Sequence, residues 1–455
     1  VRGSFCFGGA AKKGGGGMGA YLQRRGIIVV AALIWAALTM ACLSAIRAPE
    51  FLKRKPDLIA YLGTDYNIYT VDAESGNLTA LTADAVTEGE VIRVYDLPAW
   101  APDSASVAFA GYSFRRDQSQ PPIASLFVAA RDGSALTEVY SSTRELIYYY
   151  WSPDSRQVSF LSSAPGLSLE MRLVAASGGE AETLDAGAPF YWSWAPDSDA
   201  VLVHIGGLDG RLSLWQLGGA AAEEALDITP TIFRAPAYSP NGRRMLVAGE
   251  NAESRPALLL ADARGRDPET IAEYTGNIAF AWSPDGQRIA YLISEQASAG
   301  ELSGRLTVAD PSGRKKPVEL KDESVYAFFW SPDSRSLAYI AQHGESQPPS
   351  GVESVSYRQE SPPALALKVM NVKSGEARTV LAPFIPTEWF LRLIPFFDQY
   401  HHSLTIWSPD SRNLVISAYY EQEGNIEPGV FVAEAAGDSE PRLVAEGWAA
   451  FWSWK

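Results

Sequence analysis

Phe329-Trp330-Ser331-Pro332-Asp333-Ser334-Arg335-Ser336-Leu337-Ala338-Tyr339-Ile340 is one copy of a signature that returns along most of the chain. Trp151-Ser152-Pro153-Asp154, Trp282-Ser283-Pro284-Asp285 and Trp407-Ser408-Pro409-Asp410 repeat it, and Trp100-Ala101-Pro102-Asp103 and Trp194-Ala195-Pro196-Asp197 vary it by one residue. Tyr238-Ser239-Pro240-Asn241 is a looser copy, and Phe451-Trp452-Ser453-Trp454 is a truncated one. With anchors at 100, 151, 194, 238, 282, 330, 407 and 452, the spacings are 51, 43, 44, 44, 48, 77 and 45 residues. A recurring period near 44 marks a repeat architecture.

One unit can be built from its residues. The apolar run Tyr326 to Trp330 reads as a strand buried on both faces, which is why it does not alternate. Proline then ends the ladder, having no N–H to donate, and Asp-Ser, Asp-Gly or Asn-Gly supplies the turn. A second strand follows at Leu337 to Ile340. In the preceding unit, Leu302 to Ala309 is a third strand, and the turn Asp310-Pro311-Ser312-Gly313 leads to a fourth. Four antiparallel strands joined by short turns make one propeller blade. On this reading the repeated Trp and Asp residues hold blades together and are not a multiplied active site.

The pattern W-S-P-D-S/G followed by (I/L)-A-Y resembles the WD40-like repeats (PD40 repeats) of the TolB-type β-propeller family, over about residues 57 to 455. The resemblance implies an all-β propeller and says little about activity, because propellers host unrelated functions. TolB itself pairs an N-terminal α/β domain with a six-bladed ring, and neither feature is read here. The fold is therefore carried over without the TolB partnership.

The two ends of the repeat region complete each other. Asp57 to Leu62, Asn67 to Val71 and Leu78 to Leu81 form three strands with no tryptophan strand before them, and Trp448 to Trp454 is a first strand with nothing after it. The expectation is an eight-bladed ring, seven blades continuous and one composite, closed by the C-terminal strand so that no long sheet edge is left open.

The chain carries a net charge of −15, unevenly spread: residues 1–56 hold nine Lys/Arg and one acidic residue, the remainder 29 basic and 52 acidic. So acidic a ring argues against nucleic acid and against broad contact with anionic lipid. Residues 1–26 read as a Gly-rich, basic leader, with Met18 as an alternative first residue. Residues 27–46 are twenty apolar or small residues without charge, the length of a transmembrane signal anchor, and 47–56 a tether. A cleaved signal peptide, or lipidation at Cys42, are the alternatives. Basic residues are balanced across the span, so the positive-inside rule does not choose. The abutting Arg24 and Arg25, and the resemblance to an exported family, favour an extracytoplasmic ring. Both cysteines, Cys6 and Cys42, precede the ring and cannot staple it.

Irregularity is where function is expected. Three insertions belong to the side opposite the tryptophan turns: residues 111–123, with Arg115 and Arg116; residues 343–363, with Tyr357 and Arg358; and residues 383–402, with Phe384, Trp389, Arg392, Phe396, Phe397 and Tyr400. Loops this long are usually functional or disordered, and the third is too aromatic for disorder. These ten residues are the candidate partner-binding set, with a local cap on its own blade as the alternative reading of the third loop. No G-x-S-x-G, H-E-x-x-H, phosphate-binding loop or strand-borne G-x-G-x-x-G is found. Resemblance to propeller-bearing serine peptidases therefore stops at the propeller. Of the four histidines, His204 reads as structural, and Asp398, His401 and His402 are too few for a metal site. No catalytic, cofactor or metal residue is assigned. The expectation is a membrane-anchored, extracytoplasmic scaffold for protein partners and not an enzyme. The alternatives are a glycan- or peptide-cleaving propeller enzyme, marked by carboxylates or histidines converging at the ring's mouth, and a solute-binding sensor.

Overall fold

A computed structural model describes residues 57–455 except Ser75, 207–209, 218, 220, 296–302, 321–323 and 345–363, and only the backbone of Leu167. The expected leader, membrane span and tether fall outside these residues. Among the described residues no helix is long and apolar enough to cross a membrane.

Within residues 57–455, five four-stranded antiparallel sheets follow one another, spanning 91–142, 146–187, 190–225, 237–273 and 277–319, each with its strands in chain order. A ten-stranded sheet completes the fold: its strands run from Val325–Trp330 through Arg442–Trp452 and then continue into Leu58–Gly63, Ile68–Asp72 and Leu78–Ala80. Arg442–Trp452 is shared. Residues 442–446 pair with the hairpin strand Asn425–Glu434, and residues 447–452 pair with Leu58–Gly63, Tyr61 opposite Ala450 and Ile59 opposite Trp452. The pairing expected between the two chain ends is therefore present. The inner strand expected ahead of Asn413–Gln422 is reduced to a single bridge, Trp407 to Leu414. The apolar core of the described residues is divided into six clusters, most of them packed between neighbouring sheets, with Trp100, Trp151, Trp192 and Trp407 almost fully buried.

The tryptophan signature stitches neighbouring sheets together. The indole N–H of Trp151 donates to the carbonyl of Ala99 at 3.0 Å, Trp282 to Ala237 at 3.3 Å, Trp330 to Ala281 at 3.4 Å, and Trp407 to Phe329 at 2.9 Å. Trp100 does the same to Phe451, across the closure, at 3.2 Å. The acceptors Ala99, Ala237 and Ala281 lie in the first strand of the preceding sheet, so a large apolar side chain and a satisfied polar tip serve one contact.

A second stitch was not foreseen. The serine after the motif's aspartate adopts left-handed backbone (φ 60 at Ser334, 62 at Ser155 and Ser411, 66 at Ser198), a region unfavourable for side-chain-bearing residues. Its hydroxyl accepts the N–H of the preceding motif's aspartate: Ser155 from Asp103, Ser198 from Asp154, Ser334 from Asp285 and Ser411 from Asp333, all at 3.0–3.1 Å. The serine carries an inter-sheet bond that glycine, at Gly242 and Gly286, does without.

Candidate functional site at the ring axis

The first strand of each sheet faces the axis with an edge of unpaired backbone groups, a liability unless covered. Residues 383–402 cover it. The strand Ala377–Pro386 is followed by helix α1 (Glu388–Leu393), a 3-10 turn (Ile394–Phe396) and helix α2 (Phe397–Tyr400). Thr387 caps α1, its hydroxyl accepting from the N–H of Phe390 at 3.3 Å, and Pro395 suits the first turn of the 3-10 segment.

This helical plug touches sheets all around the ring. The Gln399 amide exchanges two bonds with the backbone of Trp192, 3.1 Å from its N–H and 3.0 Å to its carbonyl, imitating one rung of an added strand. Tyr148 donates to the Gln399 carbonyl at 3.1 Å. The Asp398 carboxylate accepts the N–H of Ala235 at 3.1 Å. Phe397 packs edge-on against Phe328, ring centres 4.9 Å apart, and the Thr387 hydroxyl donates to the carbonyl of Trp448.

Beneath the plug lies a buried polar cluster. Arg234 and Asp398, 5% and 1% exposed, pair at 3.8 Å. The Arg234 guanidinium also donates to Asn277 Oδ1 at 2.8 and 2.5 Å, and the Arg234 carbonyl lies 2.7 Å from His204 Nδ1. Such a pair adds little net stability yet costs much when halved. The rings of His401 and His402 lie 4.0 Å apart and tilted, and burial lowers the pKa of both, as it does that of His204. Among the described residues no three His, Cys, Asp or Glu side chains are grouped to hold a metal.

On another flank of the plug is a cavity of about 30 Å³ bounded by Asp96, Tyr112, Tyr148, Tyr149, Tyr400 and Ser403 with apolar neighbours. Asp96 sits where the strand Val91–Trp100 bulges: the register shifts between Asp96 and Ala99, and Leu97 has φ 20. Its Oδ1 is buried without a hydrogen-bond partner. Desolvation pushes its carboxyl up to about 7, against the opposing pull of the Leu97 N–H and the Arg392 charge. A carboxyl poised between forms at neutral pH, in a recess, is a candidate acid–base group. The Tyr148, Tyr149 and Tyr400 hydroxyls are shifted upward by burial and stay protonated.

The sequence-selected residues divide sharply. Phe384 and Phe397 are buried in the ring and Tyr400 faces the cavity, so they are not open to a partner. Trp389 is half-buried, whereas Arg392 and Phe396 face outward. Arg115 is engaged by Asp117 at 3.3 Å and Glu90 at 3.6 Å, and Arg116 by the carbonyls of Gly89 and Thr87 at 3.0 Å. Those two arginines brace their own loop. Tyr357 and Arg358 lie outside the described residues. Sequence reasoning missed Asp96 and Gln399. Asp96-Leu97-Pro98 did carry a signal, a charge and a proline inside a first strand that is otherwise apolar.

No family model matches the chain. Over 214 residues it is 23% identical to the uncharacterized peptidase YuxL of Bacillus subtilis (strain 168), covering 46% of this chain and 31% of that protein, so the match spans under a third of its relative's length. Among solved structures, dihydro-heme d1 dehydrogenase NirN in complex with DHE matches at TM-score 0.52 and 13% identity, covering 88% of this chain and 76% of that one. TolB from Acinetobacter baumannii matches at TM-score 0.39 and 15% identity, covering 85% and 78%. The expectation that the chain is not an enzyme is corrected by its curated relative, which is named a peptidase. The fold is that of a β-propeller, with TolB structures among its solved neighbours.

Proposed function

We propose that the chain is a peptide-cleaving propeller enzyme whose substrate approaches the axis from the plug side. The observation that carries the reading is Asp96, a desolvated carboxyl titrating near 7 at a tyrosine-lined recess within the field of Arg392. Ionised Asp96 takes a proton from an attacking water as the water oxygen bonds to the peptide carbonyl carbon. The same proton passes to the departing amine as the carbon–nitrogen bond breaks. The recess has room for a water and not for an amino-acid residue, so the scissile bond lies at its rim. A glycosidic bond fits less well, since glycoside hydrolysis ordinarily uses a pair of carboxylates and the recess is lined by one.

The peptidase-named relative supports peptide as the substrate class. On this reading the ring has eight blades, counting the composite blade and the one whose first strand is the Trp407 bridge. The apolar run 27–46 would tether it to a membrane with the ring outside the cytoplasm.

The test is turnover of a mixed peptide digest by the purified full chain, followed by mass spectrometry across pH. The reading expects cleavage with an inflection near pH 7, lost in Asp96→Asn while the fold is kept. Cleavage unchanged in Asp96→Asn, or none by the unaltered chain, contradicts it.

A further inference from the structure

Helix α1 carries Glu388 and Arg392 four residues apart, a spacing that ordinarily pairs the two charges along one helix face. Here the Glu388 carboxylate is taken instead by the Tyr419 hydroxyl. Arg392 lies over the ring of Trp389, 4.8 Å from its centre, and makes no ion pair among the described residues. An exposed guanidinium left without a carboxylate is notable where residues 57–455 hold 52 acidic side chains against 29 basic ones.

Its surroundings are aromatic. Trp389 packs at the same apolar cluster as Trp448, and Thr387, one residue before α1, is bonded to the Trp448 carbonyl. Tyr66 stacks with Trp448 at 6.3 Å, and Tyr419 meets it edge-on at 6.5 Å. The Trp448 indole N–H is buried without an acceptor. The mouth of the ring thus combines a cation whose forked donors are unengaged, rings that offer contact area at modest entropic cost, and an unsatisfied donor. Such a set suits a ligand with a carboxylate and an apolar side chain.

We propose that Arg392 receives the C-terminal carboxylate of a peptide, with Trp389, Tyr66 and Trp448 holding the last side chain, so that the protein engages peptides by their free C-terminal end. This rests on reading the axis mouth as the substrate site. A carboxylate anchored at Arg392 sets a peptide bond close to the end of the chain beside Asp96, and the residue released is therefore C-terminal.

The test is calorimetric binding of a five-residue Ala/Phe peptide with a free C terminus, and of its C-terminal amide, to the full chain and to its Arg392→Gln, Trp389→Ala and Asp96→Asn variants. Losing a charge-assisted pair of hydrogen bonds weakens binding about tenfold or more. The acid is expected to bind at least that much tighter than the amide, with the preference abolished in Arg392→Gln and retained in Asp96→Asn. Trp389→Ala weakens both peptides. Arg392 is exposed, so an unchanged melting transition in Arg392→Gln separates lost recognition from lost fold. Equal affinity for acid and amide, a preference that survives Arg392→Gln, or binding of neither peptide overturns the proposal. A preference without turnover leaves this inference standing and removes the catalytic reading; turnover without a preference does the reverse.

Discussion

The two sides of the ring solve opposite problems. On the tryptophan-turn side most junctions are made from the same parts, an indole donating to a neighbouring carbonyl and a serine hydroxyl accepting a neighbouring N–H, with Trp194 turned to the Ser159 hydroxyl and glycine at Gly242 and Gly286 as exceptions. On the plug side a single segment covers several first-strand edges, each by a different device: the Gln399 amide on one, the Asp398 carboxylate on another, the Phe397 ring on a third. Repetition yields a rigid frame. Irregularity concentrates the groups that repetition excludes, namely the Arg234–Asp398 pair, His204, His401, His402 and Asp96.

The largest break is expected at the closure, where the frame depends on its two ends. Deleting residues 447–455 removes the pairing partner of Leu58–Gly63 and the acceptor of the Trp100 indole. Loss of cooperative unfolding, with aggregation, is the expected outcome in scanning calorimetry. A truncated chain that stays monomeric and melts as before would show that the closure does not hold the ring.

Next comes a single stitch. Trp282→Ala empties a buried site and removes a hydrogen bond to Ala237, and is expected to cost about 3–5 kcal/mol in denaturant unfolding. A cost below about 1 kcal/mol would mean that the repeated tryptophans do not carry the frame.

On the plug side, Asp398→Ala leaves the Arg234 charge buried without its carboxylate. The expected cost is near the lower end for a halved buried pair, about 3 kcal/mol, because Asn277 still accepts from the guanidinium. Asp398→Ala combined with Arg234→Met should recover part of it, and additive losses in the double variant would show that the two residues act independently.

The smallest effect is one of pH. Asp96 keeps its proton in the folded chain up to about 7, whereas an unfolded aspartate releases it near ~4. Between those values the folded state holds more protons, so this group's contribution to stability falls as pH rises and levels off above pH 7. The buried histidines act in the opposite sense: with pKa values held low, they erode stability as pH drops below the ordinary histidine range. Asp96→Asn should flatten the decline between about pH 4 and 7 and leave the acid-side loss in place. An unaltered stability profile in that variant would show that Asp96 is solvated.

The contrast between the two sides also sets what was legible in the sequence. The frame announces itself because the Trp-x-Pro-Asp copies solve similar junctions with similar residues, and the pairing of the C-terminal strand with Leu58–Gly63 follows from a copy that lacks a sequel. The inter-sheet role of Ser155 or Ser334 was hidden, because a serine suited to a turn looks the same whether or not its hydroxyl has a distant partner. The segment 383–402 was recognised as ordered by its aromatics, yet its direction was not legible. Phe384, Phe397 and Phe396 are alike in composition, and only the fold assigns the first two to the interior and the third to the surface. Asp96 and Gln399 were overlooked for the same reason: their partners, Tyr149 and Trp192 among them, lie far along the chain.

Hydrogen exchange across residues 388–400 tests the plug most directly. If α1 and α2 are packed into the axis, their amides are protected to a degree approaching that of the first strands, Asn277–Trp282 for example, and lose that protection in Asp398→Ala before the strands do. Exchange of 388–400 at the rate of an open surface loop in the unaltered chain would contradict the account.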